Sequence, residues 1–218
     1  LAETAIETAN GKGCCVGYPV KDTEIRIIKV TDAPISGIET AENITDGEIG
    51  EMIVSGAMVT PRYHNDEPAT KMAKIFDKDG KIWHRMGDVG YFDKKGRLWF
   101  CGRKNHIVNT KAERLYPVCC EAVFNSHPDV LRTALVGIGA QGREIPVLAV
   151  ETKKSSVNFV RLAGELRELA GKNETTLRIS HFIKHPSFPV DIRHNAKIFR
   201  ERIKDWTEKT KNKVIPAL

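Results

Sequence analysis

The sequence lacks any run of eighteen or more consecutive apolar residues, so it predicts no transmembrane helix. It also lacks the C-x-x-C spacing of common zinc sites, and its five cysteines are an odd number that includes two adjacent pairs. Adjacent cysteines rarely bridge each other, which argues against a disulfide framework. We therefore predict reduced thiols in a cytoplasmic protein. The five residues are Cys14, Cys15, Cys101, Cys119 and Cys120.

The first residues, LAETAIETANGKG, contain no initiating Met, no basic start and no apolar stretch, so they predict no signal peptide. A start of this kind suggests a piece of a longer protein. The length of 218 residues suits one large domain or two smaller ones. Contents of 41% hydrophobic and 28% charged residues are those of an ordinary soluble globular protein.

The formal net charge of +6 is distributed unevenly along the chain. Residues 151–218 carry +7, whereas residues 1–150 carry −1. A basic region of this kind suggests a nucleic-acid-binding module. However, its basic residues alternate with acidic ones along predicted helices, and its aromatic residues fall at core-like spacings. We therefore expect no nucleic acid partner, and a local site for a small phosphate-bearing ligand is the better alternative.

The pattern of elements changes near the stretch CGRKNH. Alternating strands at 24–30 and 51–55, with hairpin turns at Asp79-Gly80 and Lys95-Gly96, predict that residues 1–102 are mainly β. From about residue 106 the order becomes helix, strand, strand, helix, strand, loop, helix. The predicted fold class is therefore α+β, with a β-rich first part and a small α+β domain at the end.

Three residues are candidates for contact with a phosphate-bearing ligand. Asp88 follows Gly87, where the backbone can approach a ligand and a carboxylate can accept hydrogen bonds from a ribose diol. Arg103 lies at the division of the two parts, and its guanidinium can bind ribose or phosphate oxygens. Lys197 ends a proline-bounded approach to the last helix, and its ammonium can neutralise charge on an α-phosphate. Taken singly, each has a simpler explanation as a turn residue, a structural ion pair or a surface charge.

Six blocks of sequence occur in an order that resembles the C-terminal part of the adenylate-forming superfamily, which includes acyl-CoA synthetases, peptide-synthetase adenylation domains and luciferases. The resemblance covers essentially the whole chain. It implies that residues 1–104 are the β-rich end of a truncated large domain and that residues 105–218 are a small mobile C-terminal domain. The blocks are GEIGEMIVSG, YHNDEPATK, HRMGDVGYFDKKGRLWFCGRK, LYPVCCEAVFNSHPDV, ALVGIG and NAKIFR.

The resemblance also implies a role for each candidate residue. Asp88 would bind the ribose hydroxyls of ATP and AMP, and Arg103 would contact the nucleotide nearby. Asn105 falls at the hinge of the family, and Lys197 would be the catalytic lysine that swings in for adenylation. Mg²⁺ would accompany ATP, with ligands outside this chain. Because the phosphate loop, the adenine segment and most of the acyl pocket would precede residue 1, we expect this chain alone to be inactive.

Departures from the family pattern narrow the resemblance. Lys111 and Ala112 stand where coenzyme A ligases have two glycines, and residues 117–121 read PVCCE in place of Pro-x-Glu-x-Glu. The interval from Pro189 to Lys197 is also two residues longer than usual. These features look most like the β-lactone synthetases of bacterial long-chain olefin biosynthesis, which activate a β-hydroxy fatty acid without coenzyme A. Other enzymes of such a pathway would be plausible partners. The alternative within the superfamily is a long-chain fatty acyl-CoA ligase.

The remaining reactive residue types have simpler expected roles. His185 and His194 flank the approach to Lys197, and we expect them to make hydrogen bonds in a loop and not to act as general bases. Cys119 and Cys120 lie on a predicted helix and are expected to be small buried hydrophobic residues. A catalytically dead scaffold is also conceivable, but the joint presence of Asp88, Arg103 and Lys197 argues against it.

Overall fold

The computed structural model describes residues 2–191, 193 and 197–215. Two compact units make up the chain, which crosses between them twice, between Lys12 and Gly13 and between Asn105 and His106; we call the second crossing the boundary. The first unit comprises residues 13–105. Residues 2–12 group with the second unit, although the sequence placed them with the first. Their helix α1, Ala2–Ala9, packs against the second unit, where the Asn173 side chain donates to the carbonyl of Asn10 at 2.9 Å.

The first unit is built on one antiparallel sheet of six strands. Its strands follow the order β1-β6-β5-β3-β2, and β4 pairs with β5. A short helix α2 and a 3-10 helix at Ile38–Thr40 flank the sheet. The strands are β1 (Cys14–Gly17), β2 (Thr23–Ile28), β3 (Gly50–Gly56), β4 (Lys74–Phe76), β5 (Ile82–Phe92) and β6 (Leu98–Arg103), and α2 spans Glu67–Ala73.

Two hairpin loops of the same design connect β4, β5 and β6, as their sequences DKDGK and DKKGR predict. Asp77 Oδ1 accepts hydrogen bonds from the amides two and four residues later. Asp93 Oδ1 does the same in the second loop. Gly80 and Gly96 adopt φ angles of +78° and +75°, which an L side chain disfavours. These local contacts fix the register of β5, the strand that carries Asp88.

The second unit has the predicted order of elements after residue 106. Its three-stranded sheet has the order β11-β10-β9, in which β10 pairs antiparallel with β9 and parallel with β11. A two-stranded ribbon, β7 and β8, precedes the first long helix. The elements are β7 (Val108–Asn109), β8 (Arg114–Leu115), α3 (Pro117–Asn125), β9 (Val130–Ile138), β10 (Ile145–Thr152), α4 (Phe159–Ala170), β11 (His181–Lys184), α5 (Arg200–Lys209) and a 3-10 helix at Lys211–Lys213. Another 3-10 helix, Lys104–His106, includes the boundary.

Helices cover both faces of this three-stranded sheet, which explains why β9 and β10 are continuous apolar runs. On one face, Leu135 and Leu148 pack with Phe124 of α3 and Leu166 of α4. Their strand neighbours point to the opposite face, where they pack with Ile203 of α5. The predicted α+β class is therefore confirmed. None of the described helices combines the length and the apolar content that crossing a bilayer requires.

Candidate active site

Asp88 lies on a bulge of β5 that the preceding residue, Gly87, makes possible. Glu51 pairs with Val89 across β3 and β5, whereas Ile53 pairs with Arg85, so β5 has two more residues than β3 between these pairs. Gly87 sits in this excess segment with a φ angle of +70°, and no heavy atom lies within 4 Å of the position that a Cβ would take. The bulge thus ends the regular pairing just before the carboxylate.

Arg103 faces Asp88 directly across the antiparallel pair of β5 and β6. Its Nη1 lies 3.0 Å from Asp88 Oδ1 and donates a hydrogen bond to the carbonyl of Met86 at 3.2 Å. Oδ1 itself is buried and, among the described residues, accepts no hydrogen bond of good geometry. Burial raises the pKa of the Asp88 carboxyl, and the Arg103 charge only partly opposes this effect. The pair is therefore a partly desolvated carboxylate beside a guanidinium that is 56% exposed.

The raised pKa of Asp88 leads to a stability prediction for this chain. A buried carboxyl with a raised pKa binds its proton more tightly in the folded state, so folding stability falls as pH rises through its titration range. We expect Asp88→Asn to be more stable than the wild type at pH 7, and the difference to shrink towards pH 4. Urea unfolding at both pH values measures this effect. Equal stabilities at pH 7 would contradict it, and Asp46→Asn, in an exposed loop, is the control.

A buried ion pair supports the strand on which Asp88 lies. Arg85, three residues before Asp88, donates to both carboxylate oxygens of Glu51, from Nε at 3.0 Å and from Nη2 at 2.7 Å. Its remaining donors bind the backbone carbonyls of Thr31, Ala33 and Met72. Both charged side chains are almost completely buried. The network therefore ties β5 to β3 and to the loop after β2, and it was not predicted from the sequence.

Lys197 belongs to the second unit, whereas Asp88 and Arg103 belong to the first. Its carbonyl accepts a hydrogen bond from the amide of Asp191 at 2.9 Å, and the next residue, Ile198, forms an antiparallel bridge with Val190. The amide of Phe199 donates to the carbonyl of Pro189 at 2.9 Å. These backbone contacts close the neck of a loop from which the Lys197 side chain extends into solvent.

The helix that follows Lys197 is attached to the core through a second ion pair. Arg200, at the start of α5, donates to both carboxylate oxygens of Glu121 on α3. The same carboxylate accepts a hydrogen bond from the amide of Leu135 on β9 at 2.7 Å. Burial alone would lower the pKa of Arg200, but the charge and the hydrogen bonds of Glu121 outweigh it and raise the pKa. Lys197 is thus three residues from Arg200, which Glu121 holds to α3 and β9.

A third carboxylate, that of Glu151, binds the segment just before this loop. Glu151 accepts hydrogen bonds from Arg132 and from the amide of Phe188, the latter at 3.0 Å. His185 is buried, and its ring centroid lies 4.3 Å from that of Trp206. Burial lowers the pKa of His185. His185 packs against an aromatic ring, and a backbone hydrogen bond with Ser187 partly opposes the effect of burial on its pKa. His194 lies outside the described residues.

The other residues singled out by the sequence lie in different environments. Lys111 is exposed in the turn of the β7–β8 ribbon, where Thr110 Oγ1 accepts hydrogen bonds from the amides of Ala112 and Glu113. Cys119 and Cys120 are buried free thiols, as predicted. Burial raises the pKa of the Cys120 thiol well above its ordinary value. Neither cysteine is therefore placed to act as a nucleophile.

Within the described residues, one group of side chains has the spacing of a metal site: His127, Asp129 and Glu165. However, Arg161 already donates to both carboxylates, at 2.8 Å and 3.1 Å. His127 Nδ1 accepts from the amide of Asp129, so in the neutral ring Nε2 carries the proton and donates it towards Glu165. The ring then has no lone pair for a metal, and the group does not fit Mg²⁺.

We compared the chain with known proteins, in sequence and in structure. No family model matches the chain. An amide bond synthetase from Marinactinospora thermotolerans is similar in structure, with a TM-score of 0.70 and 25% identity over 88% of this chain and 35% of that one. O-succinylbenzoate coenzyme A synthetase from Bacillus subtilis, in complex with AMP, has a TM-score of 0.67 and 26% identity over 88% of this chain and 35% of that one. The resemblance to the adenylate-forming enzymes is thereby confirmed.

A relative with higher sequence identity indicates a subgroup of the adenylate-forming enzymes. The chain is 46% identical over 210 residues to the olefin β-lactone synthetase of Stenotrophomonas maltophilia (strain K279a). The alignment covers 94% of this chain and 38% of that relative, so the chain spans well under half of its length. The resemblance to the β-lactone synthetases is likewise confirmed.

Proposed function

We propose that this chain is the C-terminal portion of an ATP-dependent enzyme that activates a long-chain β-hydroxy fatty acid as its acyl-adenylate and releases a β-lactone and AMP. We call the longer protein the parent enzyme. The observation that carries the proposal is the 46% identity to an olefin β-lactone synthetase over 94% of the chain. Because the chain spans 38% of that relative, we assign the activity to the parent enzyme and expect the chain alone to be inactive.

The geometry around Asp88 fits the ribose of ATP and AMP. Two neighbouring hydroxyls are donors that a carboxylate can accept, and Oδ1 is a buried acceptor that lacks a well-aligned donor within the described residues. The described contacts of Arg103, to Asp88 and Met86, both use Nη1, which leaves its other donors for nucleotide oxygens. We therefore assign nucleotide binding to Asp88 and Arg103, and we place the hinge of the mobile domain at Asn105.

We assign to Lys197 the stabilisation of charge during adenylation. A carboxylate oxygen of the fatty acid attacks the α-phosphorus of ATP, the bond to the β-phosphate oxygen breaks, and pyrophosphate leaves. Negative charge increases on the α-phosphate and the leaving oxygen, where an ammonium group stabilises it. The closed neck of the loop limits the backbone freedom of Lys197 and so reduces the entropy that its placement costs. Mg²⁺ is expected to accompany ATP on ligands outside this chain, and we assign no step to it.

In the second half-reaction, the β-hydroxyl oxygen attacks the acyl carbonyl carbon, AMP leaves, and the hydroxyl proton is released. This closes a four-membered lactone without another acyl acceptor. Lys111 supports the proposal because its long side chain stands in the ribbon turn where coenzyme A ligases have glycines that leave room for the thiol. The alternative function, a long-chain fatty acyl-CoA ligase, is supported by the structural similarity to a coenzyme A synthetase.

The proposal is tested by incubating the parent enzyme with ATP, Mg²⁺ and a long-chain β-hydroxy acid, with and without coenzyme A, and identifying the products by mass spectrometry. We expect a β-lactone and AMP in equal amounts, unaffected by coenzyme A. The matched control is the acid of the same length without the β-hydroxyl, which should stop at the adenylate. An acyl-CoA formed only when coenzyme A is present would favour the ligase and exclude the lactone proposal.

We place the parent enzyme in the cytoplasm, on the support of free thiols at all five cysteines. Other enzymes of the same pathway are its proposed protein partners, since the acid must be delivered and the lactone consumed. We propose no nucleic acid partner.

A further inference from the structure

The chain is anchored on the first-unit side of the boundary by Lys104. Its Nζ donates to the carbonyl of Thr31 at 2.9 Å and lies 3.6 Å from Glu51 Oε2. Glu51 is the carboxylate that also binds Arg85 on β5. Lys104, one residue before the last residue of the first unit, is therefore held to a buried, multiply bonded ion pair.

The chain is anchored again on the other side of the boundary by His106, the first residue of this part of the second unit. Its Nε2 lies 2.9 Å from Oε1 of Glu201; the His106 side chain is 20% exposed and the Glu201 side chain is 67% exposed. A hydrogen bond from its own backbone amide and the bond to His106 hold the pKa of Glu201 below its usual range. The two residues are 95 positions apart in sequence, so this contact joins the boundary to the first turn of α5.

We propose that His106 is a positioning residue that couples the hinge to the catalytic lysine, an inference that rests on the proposed function. Glu201 is four residues after Lys197 and directly follows Arg200, which is fixed to Glu121. With Lys104 held by the first unit and His106 held to α5, we place the pivot of this crossing at the backbone of Asn105; the other crossing lies between Lys12 and Gly13. Any rotation there carries the start of α5, and Lys197 with it, as one body.

This arrangement explains why both neighbours of Asn105 have bonded side chains. Within the described residues, the Asn105 side chain itself makes no hydrogen bond or ion pair. At this crossing, a pivot of one residue leaves only the two backbone dihedrals of Asn105 free, which keeps the end point of a rotation narrow. A hinge freed on the His106 side would distribute the rotation over several residues and deliver the ammonium with a wider spread of positions.

The test uses the parent enzyme and measures the two half-reactions separately. Adenylation is followed by exchange of labelled pyrophosphate into ATP, and the second half-reaction by AMP release from supplied acyl-adenylate. We expect His106→Ala and Glu201→Ala each to slow exchange about tenfold, because small misplacements of a catalytic group cost this much or more. AMP release should change less than twofold. The double variant should be no slower than either single variant, since both changes break one contact.

The matched control is His127→Ala, which breaks a similar histidine–glutamate contact, to Glu165, in the same unit but away from the boundary. Its exchange rate should stay within twofold of the wild type. Equal losses in both half-reactions, or additive losses in the double variant, would mean that His106 only supports folding and would overturn the inference. An unchanged exchange rate in His106→Ala would overturn it as well.

Failure of the proposed function gives a different result. If the wild-type parent enzyme shows no pyrophosphate exchange with any long-chain acid, the adenylation proposal fails, and the inference fails with it. If the wild type exchanges and Lys197→Ala does not, the proposed function stands, and the His106 variants then decide the inference alone. Thermal unfolding of all variants of this 218-residue chain shows whether a loss of stability accompanies a loss of rate.

Discussion

Replacing Lys197 with Ala in the parent enzyme is expected to slow acyl-adenylate formation by about 10²–10³-fold. This is the typical cost of removing one preorganised group that stabilises charge in a transition state. Release of AMP from supplied acyl-adenylate should change only a few-fold, because the lysine acts on the α-phosphate and the departing pyrophosphate. Pyrophosphate exchange and single-turnover AMP release measure the two steps.

The control for this prediction is Lys209→Ala, which removes the same charge from an exposed position on α5. It should leave both half-reactions within twofold of the wild type. Comparable losses in Lys197→Ala and Lys209→Ala would mean that net charge matters and that position does not. A Lys197→Ala enzyme with normal exchange would remove Lys197 from the proposed mechanism.

Replacing Arg85 with Met is expected to lower the free energy of unfolding of the first unit by about 3–5 kcal/mol. Removing Arg85 from this buried ion pair leaves the Glu51 charge with only Lys104 Nζ, 3.6 Å from Oε2, to compensate it in a low-dielectric site. Met keeps most of the side-chain volume, so the loss of packing is small. Urea unfolding followed by tryptophan fluorescence measures the change, because Trp83 and Trp99 are buried in this unit.

A surface ion pair in the same unit provides the control. Lys29 and Glu42 are both more than half exposed, so Lys29→Met should cost less than about 1 kcal/mol. Adding Glu51→Gln to Arg85→Met should restore part of the stability, because the buried carboxylate is then neutral. If Arg85→Met were no more costly than Lys29→Met, the buried pair would not be what holds β5 in place.

Local patterns were sufficient to predict most of the elements. The loops DKDGK and DKKGR determine their hairpins through contacts within five residues, and α5 follows from the spacing of Phe199, Ile203 and Trp206. Asp88 was found as a candidate because Gly87 precedes it, and the structure shows the bulge that this glycine permits.

Long-range polar contacts could not be predicted in this way. Glu51 and Arg85 are 34 residues apart, Glu121 and Arg200 are 79 apart, and their pairing depends on strand register and helix docking. Hydrophobic periodicity contains no information about which charge meets which. The grouping of residues 2–12 with the second unit was missed for the same reason, since it depends on contacts made far along the chain.

The distribution of thiols makes the chain suitable for site-specific labelling. Cys14 is exposed and Cys15 is partly exposed in the first unit, whereas Cys101, Cys119 and Cys120 are buried. A maleimide dye should therefore react with the Cys14–Cys15 pair and leave the three buried thiols unmodified. After Cys15→Ser, a single dye at Cys14 and a second at a cysteine introduced on α5 would form a fluorescence energy-transfer pair. Single-molecule recordings of this pair would count the number of inter-unit states and their lifetimes directly.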